Sequence, residues 1–296
     1  MMVARATAVG ESRVVLSVDR AAEALDTLTD LVAAGGVLVL TGAGISTESG
    51  IPDYRGPSSG SRRASPMTFQ TFTGDPAARR RYWARSHLGW RLVGRAAPNR
   101  GHRAVAALQE AGLLTGVITQ NVDGLHQAAG AQDVTDLHGR LDRVRCLDCG
   151  RLSGRDELHT RLAAANASWH AVAAGVNPDG DVDLPDNALD GFRTVDCTDC
   201  AGVLKPDVVF FGETVPPERV ARCYELLAES RSLLVLGSSL TVMSGHRFVL
   251  RAARDGRPVA IVNQGATRGD RYAAVTVDGP LGAVLPAVVA RVTGRG

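Results

Sequence analysis

Short apolar runs alternate with amphipathic segments along most of the chain. The run Val37–Thr41 ("VLVLT") is apolar on both faces, which is typical of a strand buried within a parallel sheet. The same pattern predicts strands at 115–119, 133–137, 207–211, 232–237 and 258–262, and helices at 19–34, 101–111, 217–229, 245–254 and 280–292. Buried strands that alternate with helices predict an α/β fold with a Rossmann-like, doubly wound parallel sheet.

Polar loops begin where several of these strands end. They cover 42–55, 120–126, 237–241 and 263–265. In open parallel sheets, ligands bind beyond the carboxyl ends of the strands. We therefore expect the four loops to converge on one crevice.

Two stretches interrupt this alternation. Residues 143–205 contain four cysteines and several Asp and Gly without strong periodicity, which predicts a smaller inserted zinc-binding module. Residues 56–100 are rich in Ser and Arg and then form an aromatic helix candidate, which predicts a helical and loop insertion. The Rossmann-like domain is accordingly predicted to be discontinuous, over 19–55, 101–142 and 206–293.

Composition narrows the classes of function. The 296 residues are 45% hydrophobic and 22% charged, enough for a core that needs no disulfides, and the net charge of +2 gives no field that would attract nucleic acid or an anionic membrane. The sequence has no apolar run of membrane-spanning length and no secretory signal pattern, so a cytoplasmic location is predicted. Lys205 is the single lysine, and the arginine excess indicates GC-rich, bacterial coding.

The cysteines form two pairs with the spacing of metal-binding knuckles, Cys146-x-x-Cys149 and Cys197-x-x-Cys200. Four thiolates in this pattern predict one tetrahedral zinc ion with a structural role, because no coordination position is left for substrate. The alternatives are a redox Cys-x-x-Cys and two disulfides. Cys223 lies in an apolar, helix-like segment and is predicted to be a core residue.

The loop "GAGIS" at 42–46 resembles the beginning of the G-x-G-x-x-G turn, whose glycines let backbone amides approach a pyrophosphate. The third glycine position is Thr47, and no ribose-binding acid follows at the usual distance, which disfavours a hydride-transfer dinucleotide site. Asp53 and Arg55 follow in "GIPDYR", where they can fold over whatever the glycines hold. A solvated surface loop is the alternative for this segment.

Taken together, these motifs closely resemble the sirtuins, the NAD-dependent protein deacylases, from about residue 25 to 290. The resemblance rests on "GAGIS", "GIPDYR", "TQNVDGLH" at 119–126, His138-Gly139, the two cysteine pairs, "KPDVVFFGE" at 205–213 and "GSSL" at 237–240. The long stretch between the cysteine pairs and the "RYWAR" segment are most similar to class II, the branch of the fourth mammalian sirtuin.

The resemblance implies that NAD is a co-substrate. The acyl oxygen of a modified lysine would attack the nicotinamide ribose carbon, and His138 would take a proton from a ribose hydroxyl. A histidine suits this step because its ordinary pKa lies near neutrality. Asn121 and Asp123 would complete the catalytic set by binding ribose, water or the nicotinamide amide, and Gln120 would contact the ribose.

The resemblance assigns further contacts to NAD and to an acylated-lysine protein or peptide. For NAD these residues are Gly42, Ala43, Gly44, Asp53, Tyr54, Arg55, Gly237, Ser238, Ser239 and Asn263. For the peptide, which would add as a strand between two edges, they are Val209, Phe210, Phe211, Gly212, Glu213, Leu240, Thr241 and Val242. His126 is predicted to be a structural histidine that is hydrogen-bonded to backbone.

The acyl group and the balance of activities stay open at this point. Tyr82 and Arg85 have the Y-x-x-R spacing that clamps an acyl carboxylate in one sirtuin branch, while a helix face covering the pocket is the alternative. The class II likeness implies a preference for acyl chains larger or more acidic than acetyl. Mono-ADP-ribosyl transfer and a non-catalytic NAD sensor are the alternative functions. A nucleic-acid-binding zinc ribbon is disfavoured because the stretch at 179–190 is acidic.

Overall fold

The computed structural model describes residues 8–53, 67–94, 96–171, 182 and 184–294, without the side chains of 8–19, 91–93, 186 and 187. The strands are β1 Val37–Thr41, β2 Leu114–Thr119, β3 Val134–Asp136, β4 Gly139–Cys146, β5 Leu152–Gly154, β6 Leu204–Val208, β7 Ser232–Leu236, β8 Val259–Asn263 and β9 Val275–Asp278. The helices are α1 Ala8–Ala33, α2 Phe69–Gly74, α3 Pro76–Val93, α4 Arg100–Glu110, α5 Leu125–Ala128, α6 Arg155–Ala165, α7 Pro217–Glu229, α8 Met243–Arg254 and α9 Leu281–Thr293.

A six-stranded sheet in the order β3-β2-β1-β7-β8-β9 forms the larger unit, and its strand pairs are all parallel. Along β1, Val37 and Val39 pack on one face against α1, α4 and α9, while Leu38 and Leu40 pack on the other against α7 and α8. Because both faces are covered by helices, the central strands β1 and β7 are buried along their whole length. The predicted doubly wound parallel sheet is confirmed.

The strand order reverses between β1 and β7. From β1 the chain runs outward through β2 to β3, and from β7 it runs outward in the opposite direction through β8 to β9. Connections on the two sides diverge at such a point, so a crevice opens beyond the ends of the two central strands. The loops that begin at Gly42 and Gly237 lie there.

A smaller antiparallel sheet has the order β5-β4-β6. The prediction that a strand at 207–211 belongs to the parallel sheet is wrong, because β6 ends at Val208 and pairs with β4. All five residues of β6 are buried, and a fully buried strand has the same apolar pattern in either kind of sheet. The predicted domain boundaries themselves stay a prediction.

The insertion that precedes α4 packs on this smaller sheet. Phe72, Tyr82 and Trp83 of α2 and α3 share a cluster with Val144 of β4 and Leu158 of α6. The indole of Trp83 donates to the carbonyl oxygen of Leu204 at 3.2 Å. We call α2, α3 and the segment from β4 to β6 the small unit, since they share one apolar cluster. In the described part of the chain, no helix combines the length and apolar character needed to cross a bilayer.

The sequence patterns missed β4, β5 and β9. In β4, "GRLDRVRC", polar residues interrupt the apolar positions, and only half of its residues are buried. Arg143 and Arg145 of this strand lie 3.4 and 3.3 Å from the buried carboxylate of Asp207. These arginines are paired across the small sheet, which the local pattern does not reveal.

Candidate active site

A cavity of about 600 Å³ opens at the carboxyl end of the parallel sheet. All four predicted loops contribute to its wall. The predicted residues that line it are Gly42, Ala43, Gly44, Asp53, Gln120, Asn121, Asp123, His138, Gly237, Ser238, Ser239 and Asn263, together with Val209, Phe210, Phe211, Gly212, Glu213, Leu240, Thr241 and Val242. Tyr54 and Arg55 lie outside the described residues.

The glycine loop after β1 lies directly against the loop after β7. The amide of Gly44 donates to the carbonyl oxygen of Gly237 at 2.8 Å. Gly237 has a φ of 59°, and a Cβ at this position would lie 2.5 Å from the nitrogen of Ile45. A side chain is therefore excluded by both the backbone conformation and the close contact. Ala43–Ile45 and Thr47–Ser49 form two short 3-10 turns, so this loop does not begin a long helix. The backbone amides at 42 and at 44–46 already donate to backbone carbonyl oxygens.

The side chains of "TQNVDGLH" bind these loops to one another. The amide of Gln120 donates from Nε2 to Ser238 Oγ at 2.9 Å, and Asn121 Nδ2 donates to the carbonyl oxygen of Gly42 at 3.1 Å. Asn121 Nδ2 also donates to Ser46 Oγ at 3.0 Å, and that hydroxyl donates to Asp123 Oδ2 at 2.7 Å. These polar side chains therefore hold three loops in register around the cavity.

His138 presents an unprotonated nitrogen next to the cavity. Its Nδ1 lies 2.9 Å from the carbonyl oxygen of Gln120, which can only accept, so Nδ1 carries the proton of the neutral ring. Its Nε2 then accepts from the hydroxyl of Ser244 at 2.8 Å. Burial lowers the pKa of His138, against the bond to Gln120, and the charges of Arg219 and Arg247 lower it further. The ring is neutral near pH 7 and can take a proton at Nε2.

Two buried histidines, His102 and the last residue of "TQNVDGLH", His126, lie side by side. The rings of His102 and His126 meet edge to face with centroids 5.0 Å apart. Burial, followed by the charge of Arg103, lowers the pKa of His102 to about 4. Burial, followed by the charge of His102, lowers the pKa of His126 to about 3. The prediction of a backbone partner for His126 is wrong, because its Nε2 lies 3.0 Å from the hydroxyl of Thr41.

The edge at Val209–Glu213 is held by the single lysine of the chain. Lys205 is buried, and its Nζ lies 3.0 Å from Glu213 Oε2 and 4.6 Å from the ring centroid of Phe210. The same carboxylate oxygen accepts from the backbone amide of Phe210 at 2.8 Å. Burial lowers the pKa of Lys205 and Glu213 opposes that shift. The ion pair fixes the turn that forms this side of the cavity.

Tyr82 and Arg85, one helical turn apart, have different surroundings in the structure. Tyr82 is buried and lines the cavity, whereas Arg85 Nε donates to the carbonyl oxygen of Val182 at 2.7 Å. Arg85 is not among the described residues that line the cavity.

The predicted site residues leave out five polar residues of the cavity wall, which are Ser46, Thr214, Ser244, Arg247 and Gln264. Ser46 lies within "GAGIS", so its position beside the glycines was a usable signal. Ser244 and Arg247 lie in the first two turns of α8, and helical periodicity does not tell which residues of a helix face a cavity. Their contribution depends on how α8 is packed against His138.

The four paired cysteines converge at the end of β4. The Sγ atoms of Cys146 and Cys200 are 3.5 Å apart, those of Cys149 and Cys197 are 3.8 Å apart, and all four lie within 4.8 Å of one another. A tetrahedral zinc site with Zn–S bonds of about 2.3 Å has sulfur–sulfur distances of about 3.8 Å. The four cysteines are thus positioned to bind one zinc ion. Cys223 is buried in the other unit, as predicted for a core residue.

Comparisons with known proteins agree with this arrangement. The Sir2 family model matches residues 42–244. The chain is 66% identical over 264 residues to NAD-dependent protein deacetylase 1 of Streptomyces coelicolor, covering 89% of this chain and 88% of that protein. It is 56% identical over 257 residues to NAD-dependent protein deacetylase 1 of Mycobacterium avium, covering 85% and 90%.

Solved structures extend the comparison to the fold. A structure of Sir2 with a p53 peptide and NAD+ has a TM-score of 0.72 and 30% identity, over 91% of this chain and 98% of that chain. A structure of Sir2 bound to an acetylated peptide has a TM-score of 0.72 and 28% identity, over 92% and 99%. Since the matched region contains the glycine loop, His138 and all four zinc-binding cysteines, the chain belongs to the Sir2 family.

Proposed function

We propose that this protein is an NAD-dependent protein lysine deacylase. It would cleave nicotinamide from NAD and transfer the acyl group from lysine to ADP-ribose, releasing nicotinamide and O-acyl-ADP-ribose. The observation that carries the proposal is the lone pair of His138 Nε2 beside a cavity whose wall includes the glycine loop and both predicted peptide edges. The NAD-dependent protein deacetylases that share half or more of its sequence support the reaction class.

Each part of the cavity has a role in this reaction. The backbone amide of Ala43 and the hydroxyl of Ser238 would bind the phosphates and the adenosine half of NAD. The amides of Gly42 and Gly44 instead donate to backbone carbonyl oxygens at the end of β7. Asn121 and Asp123, fixed through Ser46, would hold the nicotinamide end. NAD supplies the ribose carbon that the acyl oxygen attacks.

His138 would act as the general base. With Nδ1–H held by the Gln120 carbonyl, the ring presents Nε2 in a fixed orientation and accepts the proton of a ribose hydroxyl there. The lowered pKa keeps this nitrogen unprotonated at neutral pH. The hydroxyl of Ser244 occupies the lone pair until a ribose hydroxyl replaces it.

The acylated lysine would enter between Val209–Glu213 and Leu240–Val242, both of which line the cavity. We further propose the class II placement and acyl groups larger than acetyl. The position of Tyr82, from the "RYWAR" segment, in the cavity wall supports this placement. The placement of Arg85 on Val182 gives no support to a carboxylate clamp made by the Tyr82 and Arg85 pair. The predicted cytoplasmic location stays a prediction.

The decisive experiment is mass spectrometry of lysine peptides that carry different acyl groups, incubated with the protein and NAD. We expect nicotinamide release that depends on the peptide, together with O-acyl-ADP-ribose. His138→Ala should reduce the rate by about 10²- to 10⁴-fold. His170→Ala is the matched control, because that histidine is exposed and does not line the cavity. ADP-ribose attached to protein while every acyl peptide stays intact would replace the proposal by a transferase, and no nicotinamide release would favour a sensor.

A further inference from the structure

Two arginines lie at one side of the cavity, next to the edge Leu240–Val242. Arg247 lines the cavity, and its Nε donates to the carbonyl oxygen of Met243 at 3.4 Å. Arg268 donates from its backbone amide to the carbonyl oxygen of Ser239 at 3.0 Å. Its guanidinium Nη1 lies 3.4 Å from the carbonyl oxygen of Thr241 and 3.9 Å from Met243 Sδ. We call Arg247 and Arg268 the arginine rim.

No carboxylate of the described residues neutralises the charge of the arginine rim. Across the described ranges, no carboxylate lies within 4.0 Å of either guanidinium, whereas the cavity's Glu213 is paired with Lys205. Arg268 is exposed and Arg247 is half-buried. The charge of Arg247 helps to lower the pKa of His138, and that of Arg268 helps to lower the pKa of His246, after burial in each case. The cavity therefore has a positive side beside one peptide edge.

Other basic residues do not supply this charge. Arg247 is the only Lys or Arg among the described residues that line the cavity. The carboxylate of Asp123 in the cavity wall accepts hydrogen bonds from the hydroxyl of Ser46 and the amide of Leu125. A peptide strand beside Leu240–Val242 would place its flanking side chains within reach of both guanidiniums, which prefer carboxylate partners.

On this basis we propose that the arginine rim selects substrates with Asp or Glu beside the acyl-lysine. The proposal rests on the deacylase function above, because it needs a peptide at that edge. Partly exposed charge pairs stabilise a complex modestly and are screened by salt. The expected preference for an acidic over a neutral peptide is therefore about three- to tenfold in kcat/KM at low ionic strength.

The test compares kcat/KM for three acetyl-lysine peptides. They differ only in carrying Glu, Ala or Lys at the residue just before and the residue just after the acyl-lysine. The wild type should prefer the Glu peptide over the Ala peptide and both over the Lys peptide. These ratios should be smaller in roughly 0.5 M salt, where the Debye length is about 4 Å and the charges are screened. In the double variant Arg247→Gln, Arg268→Gln the ratio should approach one. The double variant Arg247→Lys, Arg268→Lys should keep part of the preference, because the charges remain.

Arg254→Gln is the matched control, since Arg254 is an exposed arginine in the last turn of α8 and does not line the cavity. Its peptide preference should equal that of the wild type, and thermal melting checks that each variant is folded. Equal kcat/KM for the three peptides in the wild type, or a preference that survives in the Gln variant, would overturn the proposal. A rise in KM for NAD with an unchanged peptide ratio would assign the arginines to the co-substrate instead. If the wild type deacylates none of these peptides, whether they carry acetyl or any other acyl group of the panel above, the deacylase function fails as well.

Discussion

The two sheets of this protein are stabilised by different means. The six-stranded parallel sheet has buried strands between two layers of helices, with large apolar clusters on both faces. The small unit has a sheet of only three strands, one aromatic-rich cluster and four cysteines, and Leu152 on its outer strand is 48% exposed. Apolar burial is sufficient for the first unit, whereas the second needs local anchors, because a three-stranded sheet with one apolar cluster buries little surface.

The two units meet at the catalytic candidate. Leu137 donates its amide to the carbonyl oxygen of Thr119 in the parallel sheet, and the carbonyl oxygen of His138 accepts from Val209 at 2.8 Å. Gly139 then begins β4 of the small sheet. His138 thus lies between the parallel sheet and the small sheet, and burial is the main cause of its lowered pKa. Perturbing each unit separately tests this division.

Removal of zinc should have the largest effect and should be confined to the small unit. Cys146→Ser, or a strong chelator, takes away a contribution on the order of 10 kcal/mol to the order of such a module. All three tryptophans, Trp83, Trp90 and Trp169, pack in or against the cluster of the small unit. We expect a red shift of tryptophan fluorescence while far-UV circular dichroism keeps most of its helical signal.

Cys223→Ala is the matched control for the zinc experiment. It removes the one cysteine that lies in the larger unit and leaves the four converging thiols intact. Its fluorescence spectrum should match that of the wild type. Simultaneous loss of both signals on chelation would show that the units do not differ in the way described.

Gly139→Ala should have the next largest effect, because it strains the junction itself. Gly139 has a φ of 81°, and an added Cβ would lie 1.9 Å from the carbonyl oxygen of Asp207. Positive φ costs an alanine about 1–2 kcal/mol, and overpacking costs about 1–3 kcal/mol more. Urea unfolding should register a loss of about 2–5 kcal/mol, with reduced activity because His138 is displaced.

Gly112→Ala separates the two costs. Gly112 has a φ of 71° in the turn after α4, and an added Cβ there would have no other side chain or backbone atom within 4 Å beyond its own chain neighbours. The variant should lose only the conformational part of about 1–2 kcal/mol. Equal losses in the two variants would mean that the contact with β6 does not matter.

Acidification should weaken the larger unit through His102 and His126. Their pKa values are lowered from 6.5 to about 4 and about 3, so the folded rings stay neutral while the unfolded chain takes up protons. The free energy of unfolding therefore decreases as the pH falls below about 6.5 and continues to decrease to about 4. For His102 the loss is on the order of 3 kcal/mol.

Urea unfolding between pH 7 and 4.5, followed by circular dichroism, measures this loss. Excess zinc should not restore it, which distinguishes it from protonation of the cysteine thiolates in the small unit. His126→Gln should show a shallower pH dependence than the wild type, although it is less stable at pH 7. An unchanged slope would exclude the histidine pair as its source.

Ser244→Ala should have the smallest effect, on the pH profile of kcat/KM. The Ser244 hydroxyl donates to Nε2 and so favours neutral His138, as do the charges of Arg219 and Arg247, while Asp207 partly neutralises Arg219. Without the hydroxyl, the acid limb should move to higher pH by less than about one unit. Ser244→Thr keeps a donor and should restore the profile. A shift in the opposite direction would contradict the assigned tautomer.

Local patterns were sufficient for most of the parallel sheet. Strands such as β1 and β7 are apolar on both faces, and α7 begins and ends at the predicted residues 217 and 229. The site was predictable where its chemistry is local in sequence, as in "TQNVDGLH" and the two cysteine pairs. The patterns failed for β4, whose arginines are paired with Asp207 of another strand.

The sequence by itself determined the zinc-ligand set, the polar turns at the strand ends and the alternation that produces a doubly wound sheet. These properties depend on residue type and short spacing. Only the tertiary structure decided that β6 joins the small sheet, that Ser244 reaches His138 from 106 residues away, and that Arg247 and Arg268 lie next to Leu240–Val242. Such contacts depend on how separate elements pack, and periodicity within one element carries no information about the partner that it meets.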